Sequence, residues 1–360
     1  MNKLVIASAG SGKTRLIVND AITKSKKGLS VLITTFTEAC RDEIKEKIIT
    51  KEGCIPKEIK VQTWFSFLIS HGVKPFQGSL FEFDIKGLLL ISGQSAPYTN
   101  EREIDKHYFT PCKRVYSDKL AKLAIKCDIA SEGMVFKRIS NCFKYIYIDE
   151  IQDLAGYDLE VLDCLFKSDS NILLVGDPRQ ATYSTNNSRK NKKYVKSEIV
   201  NFFADNKLNI ETDTRSLTIN HRSYKSICMF SNLLYPEFPP AIPKDKEITG
   251  HDGVFIVLEE DLEDYLIKFN PTQLRDSIKK SVNDNFEVLN IGVSKGLSFE
   301  RVVIYPTAPT VKWLKNNNTE ITKAARTKLY VALTRAINSV AIVLNKNQAK
   351  GVKGIDIYSS

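Results

Sequence analysis

The stretch LVIASAGSGKTRLI, from Leu4 to Ile17, decides the fold. It opens as an apolar run, breaks into small residues at AGSGKT, and resumes with helical periodicity. The apolar run reads as a buried strand and the resumed pattern as a helix. Between them lies a tight loop whose backbone amides turn inward, because Gly10 and Gly12 permit positive φ. Such amides, backed by the positive end of a helix, hold phosphates. Lys13 is then placed to reach a β- or γ-phosphate, and the Thr14 hydroxyl to ligate Mg²⁺. Ala7 stands where the usual pattern has its first glycine, so on its own the segment also fits an ordinary strand, turn and helix.

Working outward, the second half of a phosphate site must lie at the end of another strand, and YIYIDEIQDL (Tyr145–Leu154) supplies it. Alternating apolar residues deliver Asp149 and Glu150 to a strand's carboxyl end, where open parallel sheets bind ligands. Asp149 is suited to hold Mg²⁺ through water, and Glu150 to take a proton from an attacking water. The alternative for the pair alone is a helix cap. A third strand ends in GDPRQATY, with Gln180 placed to report a γ-phosphate and Tyr183 just beyond. Farther along, NHRS offers Arg222 and LYVALTRAINSVAIV offers Arg335. Two arginines so distant from the loop point to a site completed by a second domain, where a guanidinium contributes roughly 10³ to 10⁵ in rate.

Composition bounds these readings. The chain has 360 residues, 42% hydrophobic and 26% charged, the profile of a soluble globular protein of about two domains. A formal charge of +10 makes a polyanionic partner plausible. No apolar run reaches the roughly 18 residues a membrane helix needs, and the N-terminal run is too short for a secretory signal, so the expected address is the cytoplasm and no membrane partner is expected. Seven scattered cysteines without a CxxC pair read as reduced structural thiols. The basic run SRKNKKYVK from Ser188 reads as a solvated loop, and EEDLEDYLIKF from Glu259 as an exposed helix face with Lys268 near its end.

Short β-branched runs alternate with longer amphipathic ones, the pattern of βαβ units and parallel sheets. Ten strands are expected, at KLVIAS, SVLITTF, EIKVQTW, YIYIDE, NILLVGD, RSLTIN, GVFIVL, FEVLNIG, RVVIYPT and SVAIVL. The proline-rich YPEFPPAIPKDK reads as loop.

The ordered series ASAGSGKT, TTFTEA, QTWFSF, YIDEIQDL, GDPRQATY, LTINHRS, IGVSKGLSFERVVI and LYVALTRA, running from Ala7 to Ala336, resembles the UvrD/Rep/PcrA group of superfamily 1 DNA helicases. The resemblance implies an α/β chain with two RecA-like parallel-sheet P-loop domains. The first spans residues 1–213 with a small helical insertion at about 68–142. The second spans 214–360, with the family's regulatory subdomain missing or vestigial. It implies nucleotide contacts from Ala9, Gly10, Ser11, Gly12, Lys13, Thr14, Arg15, His221 and Gly296, metal ligation by Thr14 and Asp149, and catalytic roles for Lys13, Glu150, Gln180, Arg222 and Arg335. ATP and Mg²⁺ are the implied cofactors. Single-stranded DNA and its junctions with duplex are the implied partners, with a nuclease or other protein as a further one.

In that family the segments equivalent to Thr35-Phe36-Thr37 and Thr63–Phe67 touch DNA. Aromatic rings suit a sequence-blind motor, since stacking contributes about 1 to 3 kcal/mol per base. Phe36, Thr63, Trp64 and Tyr183 are therefore the expected DNA contacts, while some aromatics of QTWFSF must pack in the core. The chain departs from the family at Asn290, Gly292 and Ser298, where Thr, His and Glu are usual, and at His221, where a tyrosine stacks on adenine. It also shows no adenine-reading glutamine segment ahead of the phosphate loop. Three functional readings follow: an ATP-driven 3′→5′ single-strand DNA translocase or helicase in replication, repair or anti-phage defence; a DNA-binding scaffold with weak ATPase working through a partner such as a nuclease; and a small-molecule P-loop kinase.

Overall fold

Six strands in the N-terminal part of the chain form one parallel sheet in the computed structural model, which describes residues 2–182, 185 and 188–359. They are β1 (Lys3–Ile6), β2 (Val31–Thr35), β3 (Ile59–Thr63), β4 (Tyr145–Ile148), β5 (Asn171–Gly176) and β6 (Glu211–Asp213), in the spatial order β3-β2-β4-β5-β1-β6. Val31–Thr35 is buried throughout, as a central strand covered on both faces requires. The register pairs Ile6 with Gly176 and Ile148 with Leu174, so β1, β4 and β5 end together at the carboxyl edge. The phosphate-loop helix Lys13–Ser25 packs from that edge with Ile17, Val18, Ala21 and Ile22 buried.

A second parallel sheet holds β7 (Gly253–Leu258), β8 (Thr272–Arg275), β9 (Val288–Asn290), β10 (Phe299–Ile304), β11 (Ala336–Leu344) and β12 (Asp356–Ile357), in the order β9-β8-β10-β11-β7-β12. Its two faces feed separate cores. Val302, Ile304, Val340 and Ile342 join Ile227, Ile256 and Tyr330 on one side. Val303, Ala341 and Val343 join Val257, Tyr265 and Leu266 on the other. Successive side chains of a strand point to opposite faces, so a near-continuous apolar run is what this placement demands. Two six-stranded parallel sheets flanked by helices give the α/β architecture of two RecA-like units.

The chain divides into two compact units, Met1–Ile6 with Lys13–Asp213, and Ala7–Gly12 with Thr214–Ser360. Residues 68–142 of the first carry the helices Ile104–Tyr108, Ser117–Ala130 and Met134–Cys142, together with a short parallel strand pair, Gly87–Leu89 with Arg114–Tyr116. In the second unit RSLTIN contributes only Ile219–Asn220, paired with Ile242–Pro243 outside the large sheet. The strand β8 was not expected from sequence. The seven cysteines are free thiols. Among the described residues no helix is long and apolar enough to cross a membrane. SRKNKKYVK forms short 3₁₀ turns around buried Tyr194, and Leu262–Phe269 is a helix that buries Tyr265 and Leu266.

Candidate functional site

The carboxyl edge of the first sheet gathers Lys13, Thr14, Asp149, Glu150, Asp177 and Gln180. Thr14 opens the first turn of its helix and donates its hydroxyl to Asp149 Oδ2 at 3.1 Å. Asp149 continues the β4 ladder, its N–H bonding Thr34 O at 2.8 Å, which fixes the carboxylate's place. Burial pushes the Asp149 carboxyl up to about 7; neighbouring Glu150 adds to the rise and Lys13 opposes it. Burial likewise pushes the Lys13 ammonium down, against Asp177, Glu150 and Asp149. A buried carboxylate touching a hydroxyl on a helix's first turn fits the donor set Mg²⁺ uses beside nucleotide phosphates.

Glu150 sits in the left-handed region at φ +58°, a conformation costly for a residue with a long side chain and common where function is stored. Its carboxylate accepts a hydrogen bond from the Gln152 amide. Gln152 is fully buried, and its Oε1 accepts from the Asp177 N–H at 3.0 Å. A Cβ at Gly176 would lie 2.4 Å from Ile151 Cγ2 and 2.5 Å from Gln152 Oε1, so glycine is required there. Asp177 accepts from Arg179 Nε at 2.7 Å, Arg179 N at 3.2 Å and Gln180 Nε2 at 3.0 Å. Burial raises the Asp177 carboxyl, but Arg179 and Lys13 outweigh it and hold the group below its ordinary range. Sequence reading missed Gln152, Asp177 and Arg179. The signal was present in DEIQD and GDPRQ, but it is the tertiary approach of the two turns that gives these residues their work.

Within the second unit, the segment Ala7–Gly12 meets the NHRS turn. Gly10 and Gly12 have φ of +74° and +90°. Asn220 Nδ2 donates to Ala9 O at 3.3 Å and His221 N to Gly10 O at 2.9 Å. A Cβ at Gly10 would lie 2.8 Å from both Arg222 Cβ and Asn220 Oδ1. Ser11 turns inward and donates its hydroxyl to Ser8 O at 2.7 Å, while Arg15 and the His221 side chain are exposed. Arg222 Nη1 donates to Thr334 O at 3.1 Å. Arg335 is buried, donating from Nε to Val331 O at 3.2 Å and from Nη1 to Leu297 O at 3.1 Å. It thereby ties the YVALTRA helix to the turn that carries Gly296, which has φ +88°.

The aromatic segment corrects one expectation. Trp64 and Phe67 lie on a helical turn, Trp64–Phe67, rather than at a strand end, and Trp64 is 1% exposed. Its indole N–H donates to Asp158 Oδ1 at 2.7 Å. Packing and that bond withdraw the ring from any base, so Trp64 is a core residue and not a DNA contact. Thr63 caps the turn, accepting from Ser66 N at 3.2 Å. Phe36 is half-buried, edge-on to Phe65 with centroids 5.8 Å apart. Tyr183 lies outside the described residues.

A strand, a phosphate-type loop and a helix beside an Asp-Glu strand end define a P-loop nucleotide hydrolase. Comparison carries this further. Residues 1–186 match the family model of an AAA domain, and residues 122–344 that of the viral superfamily 1 RNA helicase core domain. The chain belongs to the superfamily 1 helicases and is an ATP hydrolase. It is similar to Gabija protein GajB of Bacillus cereus, 24% identical over 379 aligned positions covering 96% of this chain and 72% of GajB. It is similar to the ATP-dependent DNA helicase PcrA of Bacillus subtilis, 23% identical over 303 positions, 70% of this chain and 40% of PcrA. A short stretch is 56% identical over 50 residues to one subunit of the ATP-dependent helicase/nuclease of Ligilactobacillus salivarius, 13% of this chain and 4% of that protein. The matched region thus spans less than half the length of the latter two.

Proposed function

We propose that this helicase chain is a 3′→5′ single-strand DNA translocase of the cytoplasm, working beside a nuclease in anti-phage defence rather than in replication or repair. The observation that carries the motor reading is the Thr14–Asp149 contact at 3.1 Å next to the Glu150 carboxylate held by Gln152. Lys13 binds the β- and γ-phosphates of ATP, with the loop amides from Ala9 to Thr14 around them and Arg15, His221 and Gly296 at the nucleoside. Thr14 and Asp149 hold Mg²⁺, which supplies charge neutralisation when bound. Glu150 takes the proton of the attacking water, Gln180 reports the γ-phosphate, and Arg222 and Arg335 supply positive charge. Phe36 and Thr63 meet the DNA. Similarity to GajB over 96% of the chain favours the defence setting, and similarity to part of a helicase/nuclease favours a nuclease partner.

Translocation needs a cycle of ATP binding and hydrolysis with DNA contacts, and the residues for it are present. Processive unwinding needs in addition a surface that destabilises duplex. Of the 66 residues between Ser223 and Asn290, 28 form β7, β8, the start of β9 and the helices Lys225–Asn232 and Leu262–Phe269, and the remainder connects these elements, which supports the reading that the segment holds no large subdomain to build such a surface. The deciding experiment measures ATP hydrolysis with and without single-stranded DNA, beside translocation on end-labelled strands of each polarity and unwinding of a fork. DNA-stimulated turnover with 3′→5′ movement and weak strand separation is expected. Turnover indifferent to DNA, or movement 5′→3′, would overturn the reading.

A further inference from the structure

Gln152 occupies a place in the first unit that its neighbours do not explain as packing alone. Its side chain is out of solvent, yet both ends of the amide are used in opposite senses. The Nε2 donates to Glu150, and the Oε1 accepts from Asp177 N–H at 3.0 Å. From Asp177 the string continues, because its carboxylate accepts from Gln180 Nε2 at 3.0 Å and its carbonyl from Gln180 N at 2.9 Å. Gly176, which no larger residue could replace without striking Ile151 and Gln152, lets the two turns approach this closely. An amide is the one ordinary side chain of this length that donates to a carboxylate at one end and accepts from a backbone N–H at the other.

The base position itself needs holding. Glu150 has a left-handed backbone, and such residues persist only where their surroundings over-determine them. The Glu150 N–H is spent on Asp149 Oδ1 at 2.9 Å and its carbonyl accepts from Asp153 N at 3.0 Å, so the backbone is fixed at both faces. The carboxylate in turn accepts from the Gln152 amide.

We propose that Gln152 is a positioning residue that aims the Glu150 carboxylate and ties it, through Asp177, to Gln180, so that base and γ-phosphate reporter act as one hydrogen-bonded unit. The inference rests on the reading of Glu150 as base and Gln180 as reporter. It predicts that Gln152 acts on the chemical step and not on nucleotide capture, because neither end of its amide is directed to the phosphate loop. Misplacing a reacting group by about 1 Å lowers rates by about 10²-fold.

The test uses the full chain with ATP, Mg²⁺ and single-stranded DNA, and compares Gln152→Met, Gln152→Glu, Gln180→Ala and the Gln152→Met/Gln180→Ala double variant. Met keeps length and loses both hydrogen bonds; Glu keeps shape and loses the donor. Each Gln152 variant should lower kcat by roughly 10- to 100-fold with KM for ATP and nucleotide affinity nearly unchanged, and the double variant should be scarcely worse than the worse single one. Wild-type kcat in either Gln152 variant overturns the inference, as do losses that multiply in the double variant. If Gln152→Met fails to fold, Gln152→Glu decides by the same criterion. Failure of the underlying reading is distinguishable: Glu150→Gln would then retain turnover, whereas failure of this inference alone leaves Glu150→Gln inactive and the Gln152 variants active.

Discussion

Asp177 and Asp158 are both almost wholly buried in the first unit, 0% and 2% exposed, and their protons are held in opposite directions. At Asp177, at the end of β5, burial raises the carboxyl but the Arg179 guanidinium 2.7 Å away and Lys13 prevail, so the group stays charged. Asp158, at the start of the helix Asp158–Phe166, receives neutral donors among the described residues, from Trp64, Thr185 and the Ala155 N–H, and burial pushes it up to about 6. Where the chain supplies its own counter-cation, the carboxylate organises a turn. Where it supplies neutral donors, the carboxylate is a hub for packing. Asp149 is a third case, raised by burial and by Glu150 against the pull of Lys13, with the Thr14 hydroxyl for a neighbour.

The largest effect should come from the site that the third case marks. Lys13→Ala should abolish ATP turnover. Glu150→Gln should keep nucleotide binding while lowering kcat by roughly 10²- to 10⁴-fold, since an amide preserves shape but accepts no proton. Steady-state ATPase assays beside equilibrium nucleotide titration check both. Wild-type turnover in Glu150→Gln would remove Glu150 from the role of base.

Asp177→Asn attacks the self-neutralised carboxylate. The substitution breaks a buried ion pair, since Arg179 is 4% exposed, and breaking such a pair costs about 3 to 5 kcal/mol. Denaturant unfolding at neutral pH should show it. A loss no larger than that of a surface substitution would mean that water reaches the pair.

Asp158→Asn should act through pH. The folded pKa of Asp158, about 6, lies above its ordinary value of 3.8, so the folded state keeps a proton that the unfolded chain has released between about pH 4 and pH 6. Wild-type stability from this group is therefore present below pH 4 and lost as pH rises through 6. A shift of two units corresponds to roughly 3 kcal/mol. The stability of wild type relative to Asp158→Asn should fall by up to that amount across the window, read from urea unfolding at several pH values. Parallel pH curves would show that Asp158 titrates at its ordinary value.

These contrasts show what the sequence could reveal. The loop from Ala7 to Thr14 and the Asp149-Glu150 strand end are local patterns with a mechanism, and so were legible. So was the parallel architecture, because a strand covered on both faces must be apolar nearly throughout, as VLITT and AIVL are. The strand β8 was hidden because its residues Thr272, Gln273 and Arg275 are polar and are satisfied by tertiary partners, Thr272 donating to Glu287 and Tyr305 to the Gln273 side chain. Gln152 was hidden for the same kind of reason: its role exists only once Gly176 brings the DPRQ turn against it. Trp64 was misread because an aromatic motif does not disclose whether a buried acceptor such as Asp158 awaits the ring.

The smallest effect separates the aromatics of two neighbouring motifs. Phe36 is half-buried and edge-on to Phe65. Trp64 is 1% exposed, and its N–H is committed to Asp158. Phe36→Ala should weaken single-strand binding by about 1 kcal/mol, within the range for one stacked base. The dependence of affinity on salt should barely change, because stacking neutralises no phosphate and releases no counter-ion. Trp64→Phe should instead leave DNA affinity unchanged and lower stability by about 1 to 3 kcal/mol, since a buried carboxylate oxygen loses its donor. Fluorescence anisotropy across a salt series, paired with thermal melting of each variant, reads both quantities. Weaker DNA binding by Trp64→Phe at unchanged melting temperature would return that ring to the DNA path and leave Asp158 without its structural purpose.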